Sequence, residues 1–274
     1  MEWIIGIGIV VVAAIALYLL DREIYFYEGT HLGPRIQGWL YDHWAKKYDQ
    51  GKQESQARDT EMLAQPLLKM LQKTPSPLVL DLATGTGRLP YALLREPDFR
   101  GRVIAVDVSV GMLEQAAKRL DVFGDQVALL RHFNFPLPFP DDSFGLVCCM
   151  EALEVMPDME APLHDLYRVL RPGGLLLTSR GTQASGRLAK VRTVEQFRQM
   201  METIGYEQIE IIPWWRWFDR VTARKPGKFI PPKAQELTDV LKCPKCKETR
   251  LNADLLCQDC GAQLAKNQAG VILY

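Results

Sequence analysis

The chain has 274 residues, 47% of them hydrophobic, enough for one sizeable core and a small appendage. Lys plus Arg and Asp plus Glu number 33 each. That balance excludes a bulk basic field for nucleic acid and a bulk acidic one, so any electrostatic argument has to be local.

Trp3 to Leu20 is an apolar run without a charge, bounded by Glu2 and by Asp21-Arg22-Glu23. As a helix it would reach roughly 27 Å, close to the hydrocarbon thickness of a bilayer. A cleaved signal peptide is the rival reading, since Ala14-Ile15-Ala16 has the small-x-small form. Met1-Glu2 brings no basic side chain, however, and Leu17 to Leu20 carries the apolar stretch past that site. Residues 1–22 are therefore expected to form an uncleaved, single-pass membrane anchor. Arg22, Arg35, Lys46 and Lys47 downstream, against Glu2 upstream, turn the body toward the cytoplasm. The six cysteines agree with a reducing compartment: four form two C-x-x-C pairs, and Cys148-Cys149 falls in an apolar strand candidate.

Glu28 to Pro34 reads as a turn-rich joint, and residues 35–50 combine Trp39, Tyr41, Trp44 and Tyr48 with charges in a helix-like rhythm. From residue 77 the pattern becomes strand, helix, strand. Strands are expected at Pro77–Leu82, Arg102–Asp107, Gln126–Leu130, Phe144–Cys149 and Gly174–Thr178. Helices are expected at Arg88–Leu94, Gly111–Leu120, Pro162–Leu170 and Val194–Ile204. Uninterrupted apolar strands alternating with helices imply an α/β fold, a parallel sheet covered on both faces. Tyr206–Pro213 and Arg216–Ala223 read as a terminal antiparallel pair. Pro- and Lys-rich residues 225–240 read as a linker, which sets the main domain at 23–224 and a last module at 241–274.

The sharpest local signal is Val79-Leu-Asp-Leu-Ala-Thr-Gly-Thr-Gly-Arg-Leu89. An apolar strand ending in a glycine turn before a helix brings backbone N–H groups against a ligand at the carboxyl end of a parallel sheet. The dinucleotide fingerprint G-x-G-x-x-G fails at Pro90, so a pyrophosphate cradle is less well supported. Asp107 ends the next strand, where its carboxylate can accept from both hydroxyls of a ribose.

These residues carry a resemblance. Asp81-Leu-Ala-Thr-Gly-Thr-Gly87 is similar to motif I of the class I methyltransferases, and Val106 to Leu113 resembles their second motif. Leu137-Pro-Phe-Pro-Asp-Asp-Ser-Phe144, Arg168-Val-Leu-Arg-Pro-Gly-Gly174, Tyr41-Asp42 and Lys47-Tyr-Asp49 resemble segments of the quinone and small-molecule branch. The resemblance implies a Rossmann-like sheet with helices on both faces and S-adenosyl-L-methionine as cofactor. It further implies that Asp81 and the backbone at Ala83, Gly85 and Gly87 hold the methionine half of the donor, Asp107 the ribose, and Asn134 the adenine. A cytosolic methyl donor also favours a cytoplasmic catalytic domain.

Methyl transfer from a sulfonium needs mainly alignment, and a base is optional. Glu151, just past the fourth strand, and His43, in the segment that can fold over the site, are the candidate bases. The Asn/Asp-Pro-Pro-aromatic signature of base-amino methylation is absent after that strand, where Cys148-Cys-Met-Glu-Ala152 stands. Trp214-Trp-Arg-Trp-Phe218, followed by Arg220, Arg224, Lys225, Lys228 and Lys233, suits a bilayer interface, RNA stacking, or plain packing on the sheet. With the anchor, the expected acceptor is a membrane lipid, isoprenoid quinone or other hydrophobic small molecule. RNA or protein methylation, and a noncatalytic scaffold, are the alternatives, with nucleic acid not favoured.

Cys243-Pro-Lys-Cys246 and Cys257-Gln-Asp-Cys260 form two knuckles able to give four thiolates to tetrahedral Zn²⁺. So short a piece lacks a core of its own, so metal binding would supply much of its folding energy. Leu241 to Tyr274 resembles the Trm112-like zinc ribbons that support methyltransferase partners, which implies intramolecular docking on the main domain.

Overall fold

The computed structural model describes residues 2–71, 77–185, 190–228, 230 and 236–274. Lys233 and the middle of the expected linker lie outside the described residues, as does Met1.

Five apolar runs form the parallel part of one sheet: β1 (Leu78–Leu82), β2 (Arg102–Asp107), β3 (Val127–Arg131), β4 (Phe144–Cys149) and β5 (Leu170–Gly181). Every residue of β1 and β4 is buried, the signature of a strand covered on both faces. An antiparallel hairpin, β6 (Glu207–Trp215) and β7 (Phe218–Arg224), closes one side through β5. The strand order is β6-β7-β5-β4-β1-β2-β3, then β9 (Ile272–Leu273) and β8 (Ala265–Lys266). The chain thus starts at β1, moves outward to β3, and returns to β4 on the other side of β1. That reversal opens a crevice beyond the carboxyl ends of β1 and β4.

Two core layers flank the sheet, because successive strand residues point to opposite faces. Leu80, Ile104 and Val147 pack on α7 (Glu160–Val169) and α8 (Val194–Ile204). Val79, Val103 and Leu146 pack on α4 (Gln65–Leu71), α5 (Arg88–Leu94) and α6 (Val110–Leu120). Each such fully buried side chain contributes about 1.5–3 kcal/mol. Ahead of the sheet come α1 (Glu2–Asp21), α2 (Pro34–Trp44) and a single turn, α3 (Gln53–Gln56); a short turn, α9 (Leu237–Val240), precedes the last module.

The helix from Trp3 to Phe26 is long and apolar enough to cross a bilayer, and none of its apolar stretch is buried in the protein. Trp3 is 86% exposed.

The C-terminal part is tied to the main sheet at several points. Lys225 exchanges backbone hydrogen bonds with Gly173 and Gly174, and Leu237–Val240 is helical. Residues 241–274 share the main core. Leu241, Leu251, Leu264 and Ile272 are buried within the α7/α8 layer. β9 pairs in parallel with β3, placing Ile272 opposite Leu130 and Leu273 opposite Arg131. The backbone of β9 satisfies an edge that would otherwise present unpaired N–H and C=O groups.

Candidate functional site

A cavity of about 490 Å³ occupies the crevice, within the range of small-molecule sites. The β1–α5 turn forms its floor. Ala83 takes a left-handed backbone (φ 56°), Thr84 N–H bonds Val106 O at 3.0 Å, and Gly85 follows at φ 55°. A Cβ at Gly85 would meet nothing within 4 Å, so the backbone there borders open space into which a ligand can come close. Asp107, at the end of β2, accepts the N–H of Gly85 at 2.8 Å and that of Ser109 at 2.9 Å. Acceptor capacity remains on the carboxylate toward the cavity it lines. Val108, Met112 and Phe133 give an apolar wall, and Asn134 stands at its exposed rim.

The N-terminal segment covers this floor. Gly38 and Gly111 allow the close approach: a Cβ on either would lie 2.9 Å from Val108 O or Asp42 Cα. Asp42 then accepts from Ser109 Oγ at 2.5 Å and Gly111 N at 2.7 Å, while Gln37 Nε2 and Thr30 Oγ1 each donate to Val155 O at 2.8 Å.

Of the residues expected to hold a cofactor, Ala83, Gly85, Asp107 and Asn134 line the cavity together. Asp81 and Gly87 do not. Asp81 is buried under the turn, where Thr84 Oγ1 donates to it at 2.6 Å, and Gly87 packs against Leu120 of α6. Glu151 is in the wall, but Lys52 Nζ at 2.8 Å and Arg88 Nη1 at 2.9 Å hold it. Burial alone would raise its pKa; the two cations more than offset that and lower it, so Glu151 is a poor proton acceptor. His43 is not brought to the site. It lies on the solvent face of α2, bonded through Nδ1 to Trp39 O at 2.8 Å and packed on the Trp39 ring.

The sequence reading missed Tyr48, Lys52 and His132. Tyr48 and His132 line the main cavity, and Lys52 reaches its wall through Glu151. Burial lowers the pKa of His132, which keeps its ring neutral, and the ring packs edge-on against Tyr274 at 5.1 Å. The loop 132–138 is braced from the C-terminal module: Tyr274 N bonds Arg131 O at 3.2 Å and Lys242 N bonds Pro138 O at 2.8 Å.

Behind that brace, the Sγ atoms of Cys243, Cys246, Cys257 and Cys260 all lie within 4.8 Å of one another. The pairs Cys243–Cys260 and Cys246–Cys257 are 3.6 and 3.5 Å apart. Zn–S bonds of about 2.3 Å in a tetrahedron require roughly 3.8 Å between sulfurs, so the four thiols fit the ion. The knuckles match internally: Lys247 and Gly261, each four residues after the first cysteine of its pair, share φ 68° and donate back to that cysteine's carbonyl.

Residues 79–174 match the family described as "Methyltransferase domain". Two curated relatives are similar over this region. The demethylmenaquinone methyltransferase of Symbiobacterium thermophilum is 33% identical over 137 residues, 49% of this chain and 55% of that protein. That of Lactiplantibacillus plantarum is 32% identical over 160 residues, 58% of each. The chain spans little more than half the length of these relatives. Among solved structures, a SAM-dependent methyltransferase from Aquifex aeolicus superposes with a TM-score of 0.50 at 21% identity, covering 61% of this chain and 92% of that one. That likeness concerns the fold alone.

Proposed function

We propose that this chain, which carries a class I S-adenosylmethionine-dependent methyltransferase domain, transfers a methyl group to a quinone-type small molecule dissolved in a membrane. The observation that carries the reading is the meeting of the β1–α5 glycine turn and Asp107 at 2.8 Å on one cavity, at the reversal point of the sheet. The residues there fit the donor. Asp107 would take the ribose hydroxyls, Val108, Met112 and Phe133 the adenine faces with Asn134 at its edge, and the open backbone at Ala83–Gly85 the methionine end. When bound, the donor supplies a methyl group already activated by the positive sulfonium, so the protein's task is alignment and exclusion of water. Tyr41 and Tyr48 of the covering segment close the side of the cavity from which an acceptor would approach. The quinone class rests on the similarity to demethylmenaquinone methyltransferases, and the membrane on the exposed Trp3–Phe26 helix as a single-pass anchor with the enzyme on the cytoplasmic face. Zinc in the four-thiol cluster would serve the fold, not the transfer.

Full-length protein in lipid nanodiscs should bind S-adenosylmethionine by calorimetry and pass its labelled methyl to reduced demethylmenaquinone. Donor binding with transfer only to RNA or protein would replace the acceptor class. Donor binding with no transfer to any fraction would leave a scaffold, and no donor uptake would end the methyltransferase reading.

Two buried carboxyls, Asp107 in the cavity and Asp81 beneath its floor, give a pH signature. Burial pushes Asp81 up to about 7, with Thr84 opposing and Asp107 adding to the rise. Burial likewise pushes Asp107 up to about 6, against the N–H groups of Ser109, Gly85 and Val108. Both folded values lie above the ordinary 3.8, so the stability they contribute to the empty protein is complete below about pH 4 and is lost as pH rises through 6–7. A cationic donor favours the ionised forms and should expel protons on binding. Calorimetry in buffers of different ionisation heat should find proton release that is largest near pH 5–7 and gone by about pH 8.5. Asp81→Asn should remove the upper part of that window, and a flat profile in the wild type would refute the assignment.

A further inference from the structure

A second cavity, of about 480 Å³, borders the first across Tyr41, Tyr48 and Glu151, which line both. Its character differs. Trp44, Trp215, Trp217 and Phe218 supply aromatic walls, and Tyr25 forms one side. Tyr25 is in the last turn of the apolar Trp3–Phe26 helix, so one wall of the cavity is the foot of the segment that would lie in the bilayer. The rim is aromatic and wet: Tyr25 is 71% exposed and Trp217 50%. Such rings favour the boundary between lipid tails and water. At the inner end, beside the donor cavity, stands Lys52. Burial opposes its charge, but Tyr48 and Glu151 raise its pKa strongly, so it stays an ammonium. The ammonium bonds Glu151 at 2.8 Å and stands 4.7 Å from the centre of the Tyr48 ring.

We infer that this cavity is the acceptor site, entered sideways from the bilayer beside Tyr25 and Trp217, and that it takes a flat, oxygen-bearing ring with an apolar tail. The ring lies among the tryptophans with its oxygen on a further donor of Lys52, which turns an adjacent ring carbon toward the donor cavity. The carbon–methyl bond forms as the sulfur–methyl bond breaks with its electron pair left on sulfur, and the ring carbon's proton passes to solvent at the open rim. The tail leads out past Trp217 into lipid. Glu151 is then a positioning residue that holds the ammonium, consistent with its lowered pKa. The inference rests on the methyltransferase reading and specifies where the acceptor binds and how it arrives.

The test uses full-length protein in nanodiscs, saturated with donor, and reduced demethylmenaquinones carrying one, two or four prenyl units. Trp217→Ala and Trp44→Leu should raise KM for the four-unit acceptor about tenfold, with a smaller effect for the one-unit acceptor. Donor Kd by calorimetry should stay within about twofold of wild type. Lys52→Met should lower kcat about tenfold or more at every tail length, with partial rescue by Lys52→Arg. The oxidised probes, which quench tryptophan fluorescence, give a binding readout independent of turnover: half-quenching of Trp217→Ala should need about ten times more probe, while Trp39→Ala, on the outer face of α2, should match wild type. If wild type binds donor but neither methylates nor is quenched by any probe, the quinone class falls and this site with it. If wild type does both and the cavity variants keep wild-type KM and quenching, the acceptor sits elsewhere and only this inference is overturned.

Discussion

Replacing Asp107 with alanine should weaken donor binding on the order of 100-fold while the protein remains folded. Two effects combine. The carboxylate is positioned to accept the donor's ribose hydroxyls, and a hydrogen bond to a charged group is worth about 1.5–3 kcal/mol. It also holds the N–H of Gly85 at 2.8 Å, so its loss frees the turn whose backbone must meet the methionine end. Together about 2.8 kcal/mol, or a factor of 100, is a conservative sum. Asp107→Asn separates the two. Its amide oxygen can keep the Gly85 contact but offers one acceptor atom where there were two, so an intermediate loss of about tenfold is expected. β2, which Asp107 ends, and its neighbour β1 are buried almost throughout, which should hold the thermal midpoint close to wild type. Calorimetric affinities of the three proteins within threefold of one another would remove Asp107 from the donor site.

The second large effect concerns metal. Stripping zinc with a strong chelator, or substituting Cys260→Ser, should lower the thermal midpoint by about 10 °C. Structural zinc contributes folding energy of roughly 10–16 kcal/mol in isolated knuckles. Here the sheet retains part of the fold, so a loss of about 4 kcal/mol is the scale, and each kcal/mol moves a domain of this size by about 2–4 °C. The loss should not stay local. Leu241, Leu264 and Ile272 belong to the core layer under α7 and α8, and β9 holds the edge of β3. Hydrogen exchange should therefore quicken in 127–138 as well as in 241–274, and donor affinity should fall because the 132–138 loop loses its brace. Unchanged midpoint and exchange after verified removal of metal would show the thiols to be idle.

Much of the sheet was legible because its strands are buried on both faces. Arg102–Asp107 and Phe144–Cys149 are unbroken apolar runs, and their bounds follow from the charges and turns that end them. Arg88–Leu94 and Val194–Ile204 are equally plain, the latter with a Thr193–Gln196 capping box and Gly205 behind it. β5 proved longer than its apolar centre because β4 extends its pairing back to Leu170 and β7 extends it on to Gly181. β8 could not be read at all: two residues carry no periodicity, and its pairing is made by backbone alone.

The site was legible where backbone shape dictates composition and illegible where tertiary contacts decide charge. The glycine turn and Asp107 announce themselves. Helical phase could have excluded His43, since Gln37, Tyr41 and Trp44 share the inward face of α2 and leave His43 with Trp39 outside. Nothing local to Glu151 reveals Lys52 and Arg88, which arrive from 99 and 63 residues away.

The seating of α2 on Val108 and Gly111 governs how a water-soluble version should be cut. Thr30, Gln37 and Asp42 all bond the body of the enzyme, so a truncation that starts at the sheet would discard the roof of its own active centre. The shortening that spares catalysis ends near Asp21, before Glu23 engages His31 at 2.8 Å. Such a protein would keep its affinity for a soluble acceptor and forfeit only the delivery of one that lives in lipid.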